Sequence, residues 1–72
     1  MKTSLKNNSG KPLAKSHMAA IIKDATKLAE RHTTMIGRKL LLNKTTTAIY
    51  TFSVVDSTLV DINVTRVEHA AA

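Results

Sequence analysis

RHTTMIGRKLLLN, residues 31–43, decides the fold, because the spacing of apolar residues changes inside it. Upstream, Met18, Ile21, Ile22, Ala25, Leu28, Ala29 and His32 recur at i, i+3, i+4 and i+7, which lays one apolar stripe along a helix. Met35 and Ile36 continue that rhythm, and Gly37 suits the left-handed residue that ends many helices. Ser16 is the natural N-cap. The pattern therefore predicts a helix over 17–36.

Beyond Gly37 the period becomes two. Residues 38–43, 46–55 and 59–67 are rich in Thr, Val, Ile and aromatics and alternate as strands do. Ala48, Tyr50, Phe52 and Val54 share one face of the second strand; Val60, Ile62 and Val64 share one face of the third. Leu40 and Leu42 are the matching pair on the first. Side-chain alternation then restricts the turns, since a slip of one residue would set core against charge. Pairing Phe52 with Ile62 and Tyr50 with Val64 leaves Asp56-Ser57-Thr58 as a three-residue loop. The same argument pairs Leu42 with Ala48 and leaves Lys44-Thr45-Thr46. The outer face would show Thr47, Ile49, Thr51, Ser53, Asp61, Asn63 and Thr65 and be largely wet.

The expected fold class is thus α+β: one N-terminal helix packed on a three-stranded antiparallel β-meander, in the order α-β-β-β. Residues 1–15, MKTSLKNNSGKPLAK, carry four lysines, no acid and no burial pattern, and read as a flexible basic tail. Residues 16–72 form the single small domain, and the closing Glu68 to Ala72 stretch reads as frayed or as the start of a short helix.

A chain of 72 residues has apolar surface for one core only. It holds no cysteine, which excludes disulfides and thiolate metal sites. No apolar run approaches the roughly 20 residues of a bilayer span, so no membrane role is expected and the location reads as intracellular, cytoplasmic. Asn-X-Ser/Thr triplets at Asn7, Asn43 and Asn63 read as chance in that setting rather than as glycan sites.

Charge is the informative feature. The net charge is +6, and it is lopsided: residues 1–44 hold ten Lys/Arg against Asp24 and Glu30, whereas residues 45–72 hold Arg66 against Asp56, Asp61 and Glu68. Lys23, Lys27 and Arg31 fall four apart on the helix face away from the apolar stripe, and Lys15 continues the spacing. Steps of about 6 Å can follow a phosphate backbone. Arg38 and Lys39 come just after the helix, and Lys11 precedes it. Against this stands the plainer reading of a solvated face with cations near Asp24, Glu30 and the helix C-terminus. The residues assigned to binding are Lys11, Lys15, Lys23, Lys27, Arg31, Arg38 and Lys39.

The remaining features carry less. His17 and His32 lie near opposite helix ends, some 22 Å apart by rise, too far to share a metal, and His69 is in the tail. His32 reads as a boundary packing residue. Tyr50 and Phe52 share the apolar face, so they read as core rather than as a base-stacking platform. Ser9-Gly10-Lys11-Pro12 lacks the upstream glycine of a phosphate loop. The acids are dispersed, and no pairing of nucleophile and base stands out. No cofactor, no metal and no enzymatic activity are expected.

Three functions fit, in this order. The first is a non-enzymatic accessory or regulatory protein that binds nucleic acid, DNA or RNA, or a nucleoprotein, through tail and helix face. The second is a protein-binding inhibitor or adaptor of the mobile-element type, docked on an acidic partner surface or adding a strand to a sheet edge. The third is a homo-oligomeric structural component, with Ile49, Leu59 and Val67 facing outward.

Overall fold

The structure, a computed structural model, describes residues 2–70. Its elements run β1 (Lys2–Asn7), α1 (Lys15–Ala29), β2 (Thr34–Leu41), β3 (Thr46–Asp56) and β4 (Leu59–His69). The strands form one mixed sheet in the order β1-β4-β3-β2. β1 is parallel to β4, and the other two pairings are antiparallel. β1 and β2 therefore point the same way at opposite edges, and α1 links them across one face of the sheet.

This overturns the α-β-β-β order. The residues expected to be a flexible tail include β1, which pairs from Lys2 with Leu59 through to Asn7 with Val64. Two ladder-extending bonds flank it, Lys2 N–H to the Thr58 carbonyl at 2.7 Å and Asn8 N–H to the Val64 carbonyl at 2.9 Å. The cause is a short alternation. Thr3 and Leu5 turn inward and are half-buried, while Lys2, Ser4 and Lys6 are exposed. Leu5 packs against the core. Outward lysines are what an edge strand carries to discourage further pairing. Met1, the first residue of the expected tail, lies outside the described residues, as do Ala71 and Ala72 at the other end.

The helix is displaced toward the N-terminus. It starts at Lys15, with Ala14 in extended conformation at the N-cap and no side-chain cap, so Ser16 does not cap it. It stops at Ala29, and the N–H groups of Arg31 and His32 both return to the Leu28 carbonyl, at 3.0 and 2.9 Å. His32 is exposed beyond the helix rather than packed at its boundary. The β-branched pair Thr33-Thr34 then turns extended: the Thr33 carbonyl accepts Val54 N–H at 2.8 Å, and Met35 pairs with Phe52.

Gly37 is not a helix cap. It has φ 68° inside β2, where Ile36 and Gly37 together oppose Thr51 and shift the register by one. The bulge exchanges faces. Arg38 and Leu40 turn toward the helix opposite Tyr50 and Ala48, and Ile36 is left 86% exposed.

Parity fixed the faces of the hairpin strands. Phe52 pairs with Ile62 and Tyr50 with Val64, as expected. The turn differs: Asp56 pairs with Leu59, so Val55 is extruded and only Ser57-Thr58 remain as the turn. The Asp56 carboxylate accepts the Thr58 N–H at 2.7 Å and its hydroxyl at 2.6 Å, which closes the turn without glycine. Between β2 and β3, Leu40 rather than Leu42 pairs with Ala48; the slip is two residues, so the same side chains face inward. A third irregularity lies at Thr65, since Ile49 pairs with Arg66 but Tyr50 with Val64. It turns Val67 inward, where it is buried, and Arg66 outward. Glu68 and His69 finish β4 instead of fraying.

The core lies between α1 and the sheet. Ile21 and Ala25 of the helix meet Ala48, Tyr50, Phe52, Val60, Ile62, Val64 and Val67. The opposite sheet face carries no covering element among the described residues.

Candidate nucleic-acid interface

Lys23 and Lys27 of α1, and Arg31 in the turn just past its end, are all exposed, while Ile21 and Ala25 on the other side of the helix are fully buried. Amphipathicity accounts for the two lysines: seating the apolar stripe on β3 and β4 turns them outward. Glu30 is exposed beside them. Lys15 sits in the first turn of the helix and Lys11 in the connection before it; both are exposed. The first turn holds no acid, so Lys15 adds to the positive end of the helix dipole.

Arg38 is engaged in an ion pair. Its guanidinium grips Asp24 with two bonds, Nε to Oδ2 at 3.1 Å and Nη2 to Oδ1 at 3.3 Å. The Tyr50 hydroxyl donates to the same Oδ2 at 2.5 Å. Burial works against the Asp24 charge, but hydrogen bonds from Arg38 and Tyr50, then the charges of Arg38 and Lys27, outweigh it and hold the carboxyl below its usual range. Burial, reinforced by the adjacent Asp24, pushes the Tyr50 phenol well above its ordinary value. Arg38 thus serves as a clasp between helix and sheet.

The clasp matters for the exposed row. Asp24 is the helix acid nearest Lys27, and its two oxygens are committed to Arg38 and Tyr50. A recess of about 370 Å³ lies here, lined by Asp24, Lys27, Leu28, Glu30, Arg31 and Arg38.

Lys39 is separated from the rest. It pairs with Ile49 on the sheet face away from the helix. Of the residues assigned from sequence, Lys23 and Lys27 are exposed on α1, Arg31 is exposed in the turn after it, Lys11 and Lys15 lie toward its N-terminal end, Arg38 is paired with Asp24 while lining the same recess as Lys27 and Arg31, and Lys39 is on the sheet face away from the helix. Sequence reasoning missed the Asp24–Tyr50 link, which no spacing announces. It also missed the placement of Lys2 and Lys6, for which alternation with Thr3 and Leu5 was the available signal.

Two of the three Asn-X-Ser/Thr triplets are turns. Asn7 Oδ1 accepts the Ser9 N–H at 3.1 Å and hydroxyl at 2.6 Å; Asn43 Oδ1 accepts the Thr45 N–H at 2.9 Å and hydroxyl at 3.2 Å. They repeat the Asp56-Ser57-Thr58 geometry. Asn63 instead accepts a bond from Asn8 Nδ2 at 2.6 Å across the β1–β4 edge. Ser9-Gly10-Lys11 belongs to the first of these turns, its glycine at φ 79°.

Tyr50 and Phe52 are buried against the helix, with ring centroids 6.5 Å apart. Among the described residues no three His, Asp or Glu side chains gather at metal-binding distance, and no helix is long and apolar enough to cross a membrane. Comparison with family models, curated proteins and solved structures returned no match.

Proposed function

We propose that this protein is a non-enzymatic accessory or regulatory protein that binds nucleic acid through the exposed face of α1. The observation that carries the reading is the outward row of Lys23, Lys27 and Arg31 combined with the locking of Asp24 by Arg38 and Tyr50. Asp24 still feels the charge of Lys27, but its own charge is already answered by the Arg38 guanidinium, so the pair adds no net negative charge beside the row, where Glu30 is the other nearby acid. Cations about 6 Å apart on a convex helix can replace counterions along a phosphate backbone. Lys15 and Lys11 extend the positive surface toward the helix N-terminus.

The mechanism differs from the one the sequence predicts. Lys2 and Lys6 belong to an ordered strand and do not form a loose arm beside the helix. Binding on this reading is a rigid-surface event, with little ordering cost to the protein.

The test is binding of the full chain to generic duplex DNA and duplex RNA across a salt series. Affinity that falls steeply between about 50 and 200 mM salt supports the reading. Absence of binding at low salt overturns it. In that case, capture of an acidic protein that survives a high-salt wash would favour the inhibitor or adaptor reading.

A further inference from the structure

The sheet face turned away from α1 mixes charges of both signs with exposed apolar side chains. The strand pairings place the cations Lys2, Lys6, Lys39 and Arg66 on it together with the acids Asp56, Asp61 and Glu68, so it is close to neutral. Ile36 is 86% and Leu41 69% exposed, and Ile49 and Leu59 are half-buried there. An open depression of about 510 Å³ lies at its middle, over Thr51 and Ser53, between Thr34 and Ile36 on one side and Asp61 and Asn63 on the other.

The charges are ordered along β4. Asp61 and Arg66 lie one step to either side of Asn63, at the levels of Ser53 and Ile49, because the extra residue at Thr65 shifts the register. Glu68 lies one step beyond Arg66, and Lys2, level with Leu59, one step beyond Asp61. Turning the face over about an axis that crosses the strands at Asn63 therefore sets Asp61 against Arg66 of a second copy, twice, and brings Lys2 to the end that carries Glu68. Arg66 is available for this, since its pair with Glu68 at 3.6 Å is exposed and weakened by solvent. The same rotation brings Lys6, level with Asn63, near its own copy; it lies on the edge strand, where a long stem carries its ammonium out to water.

We propose that this face binds a second copy of the chain, giving a two-fold dimer of sheets packed face to face with both helices outward. A two-fold contact needs one self-complementary patch, and the ordering along β4 supplies it. Aligned sheets pack about 10 Å apart, near enough for the two Asp61–Arg66 pairs to close and for Ile36 to cover the depression of its partner. The body measures 41 × 19 × 18 Å. One long side of it offers close to the roughly 800 Å² per partner of a standard interface. The dimer displays one α1 on each outer side, and the inference does not depend on what the helices bind.

The test is sedimentation equilibrium of the full chain, without nucleic acid, from micromolar to near-millimolar concentration. The wild type should pass from monomer to twice the chain mass. Asp61→Lys and Arg66→Glu should each raise the dimer dissociation constant by about tenfold or more, since like charges then meet twice across the two-fold. The double variant Asp61→Lys/Arg66→Glu should return to within a few-fold of wild type, and Ile36→Ser should weaken the dimer. All these positions are exposed, and circular dichroism checks that each variant is folded. Lys23→Gln/Lys27→Gln should dimerise as the wild type does. A wild type that stays monomeric overturns the proposal and leaves the helix-face reading intact. A dimer indifferent to the two reversals and to Ile36→Ser overturns it as well, and assigns the contact to another surface such as the β2 edge. Failure of the double variant to recover overturns the two-fold arrangement on which the proposal stands.

Discussion

The Tyr50 hydroxyl donates to Asp24 Oδ2 at 2.5 Å, and Arg38 closes on the same carboxylate from β2. One helix acid is thereby tied to two neighbouring strands, and Tyr50 itself is fully buried. A buried phenol needs a partner, and the half-buried carboxylate needs its charge answered; each group meets the other's requirement. In a chain with no disulfide and a small core, this clasp fixes how α1 sits on the sheet. Tyr50→Phe should cost about 1–2 kcal/mol, the range for a hydrogen bond to a charged acceptor discounted for partial exposure. Urea unfolding midpoints measure it. An unchanged midpoint would mean that packing alone seats the helix.

Acid and alkali should act on the clasp in opposite ways. Asp24 is held below its usual range, so its stabilisation is present above pH about 4 and is lost as pH falls through the folded value. Asp56, lowered by its bonds to Thr58, contributes in the same window. Tyr50 is raised, so the neutral phenol stabilises the fold below pH about 10 and that contribution is lost as pH climbs above it. Stability against pH should therefore fall at both ends. Asp24→Asn should flatten the acid limb in part, leaving the share of Asp56, and Tyr50→Phe should flatten the alkaline limb. Chemical denaturation at several pH values decides this; limbs unaltered by either substitution would contradict it.

At Gly37 a Cβ would meet nothing within 4 Å, so the φ of 68° is the whole of the constraint. Gly37→Ala should destabilise by about 1–2 kcal/mol, Gly37→Asn by less, and Gly37→Val by more, following the cost of left-handed backbone for each side chain. Equal effects for the three would argue against the bulge.

Two valines report on the strand bulges. Val67 is 3% exposed and Val55 is 58% exposed. Val67→Ala should cost about 1–3 kcal/mol through lost burial and the cavity left behind, whereas Val55→Ala should stay within about 0.5 kcal/mol. Comparable losses at both sites would show that the Thr65 bulge is misplaced.

Much of this was legible in the residues, for specific reasons. The stripe of Ile21 and Ala25 and the alternation of Ala48, Tyr50 and Phe52 are long enough to average out local noise, and parity then selected the Phe52–Ile62 register. β1 escaped because only Thr3 and Leu5 face inward, too few for an alternation to stand out among lysines and asparagines. Its partner is β4, at the far end of the sequence, and no local signal encodes a parallel pairing of that separation. Gly37 was read correctly as a residue needing positive φ, but helix ends and bulges make the same demand. Val67 was assigned to the outer face because strict alternation cannot foresee the extra residue at Thr65.

Of the candidate binding residues, the exposure of Lys23 and Lys27 follows from helix periodicity, whereas Arg31, expected on the same helix, lies in the turn beyond its end. Arg38 could not be separated from them by sequence, since its role depends on a bulge and on a carboxylate 14 residues away.

The most direct test of the helix-face account compares two substitutions by the salt dependence of duplex binding. Lys23→Gln/Lys27→Gln/Arg31→Gln should make the slope of log affinity against log salt shallower by about 2–3 units, because up to three phosphate contacts are lost. Arg38→Gln should lower stability yet leave that slope near wild type under conditions where the protein remains folded. A triple variant with wild-type affinity and slope, or a slope that moves only with Arg38, would contradict the account.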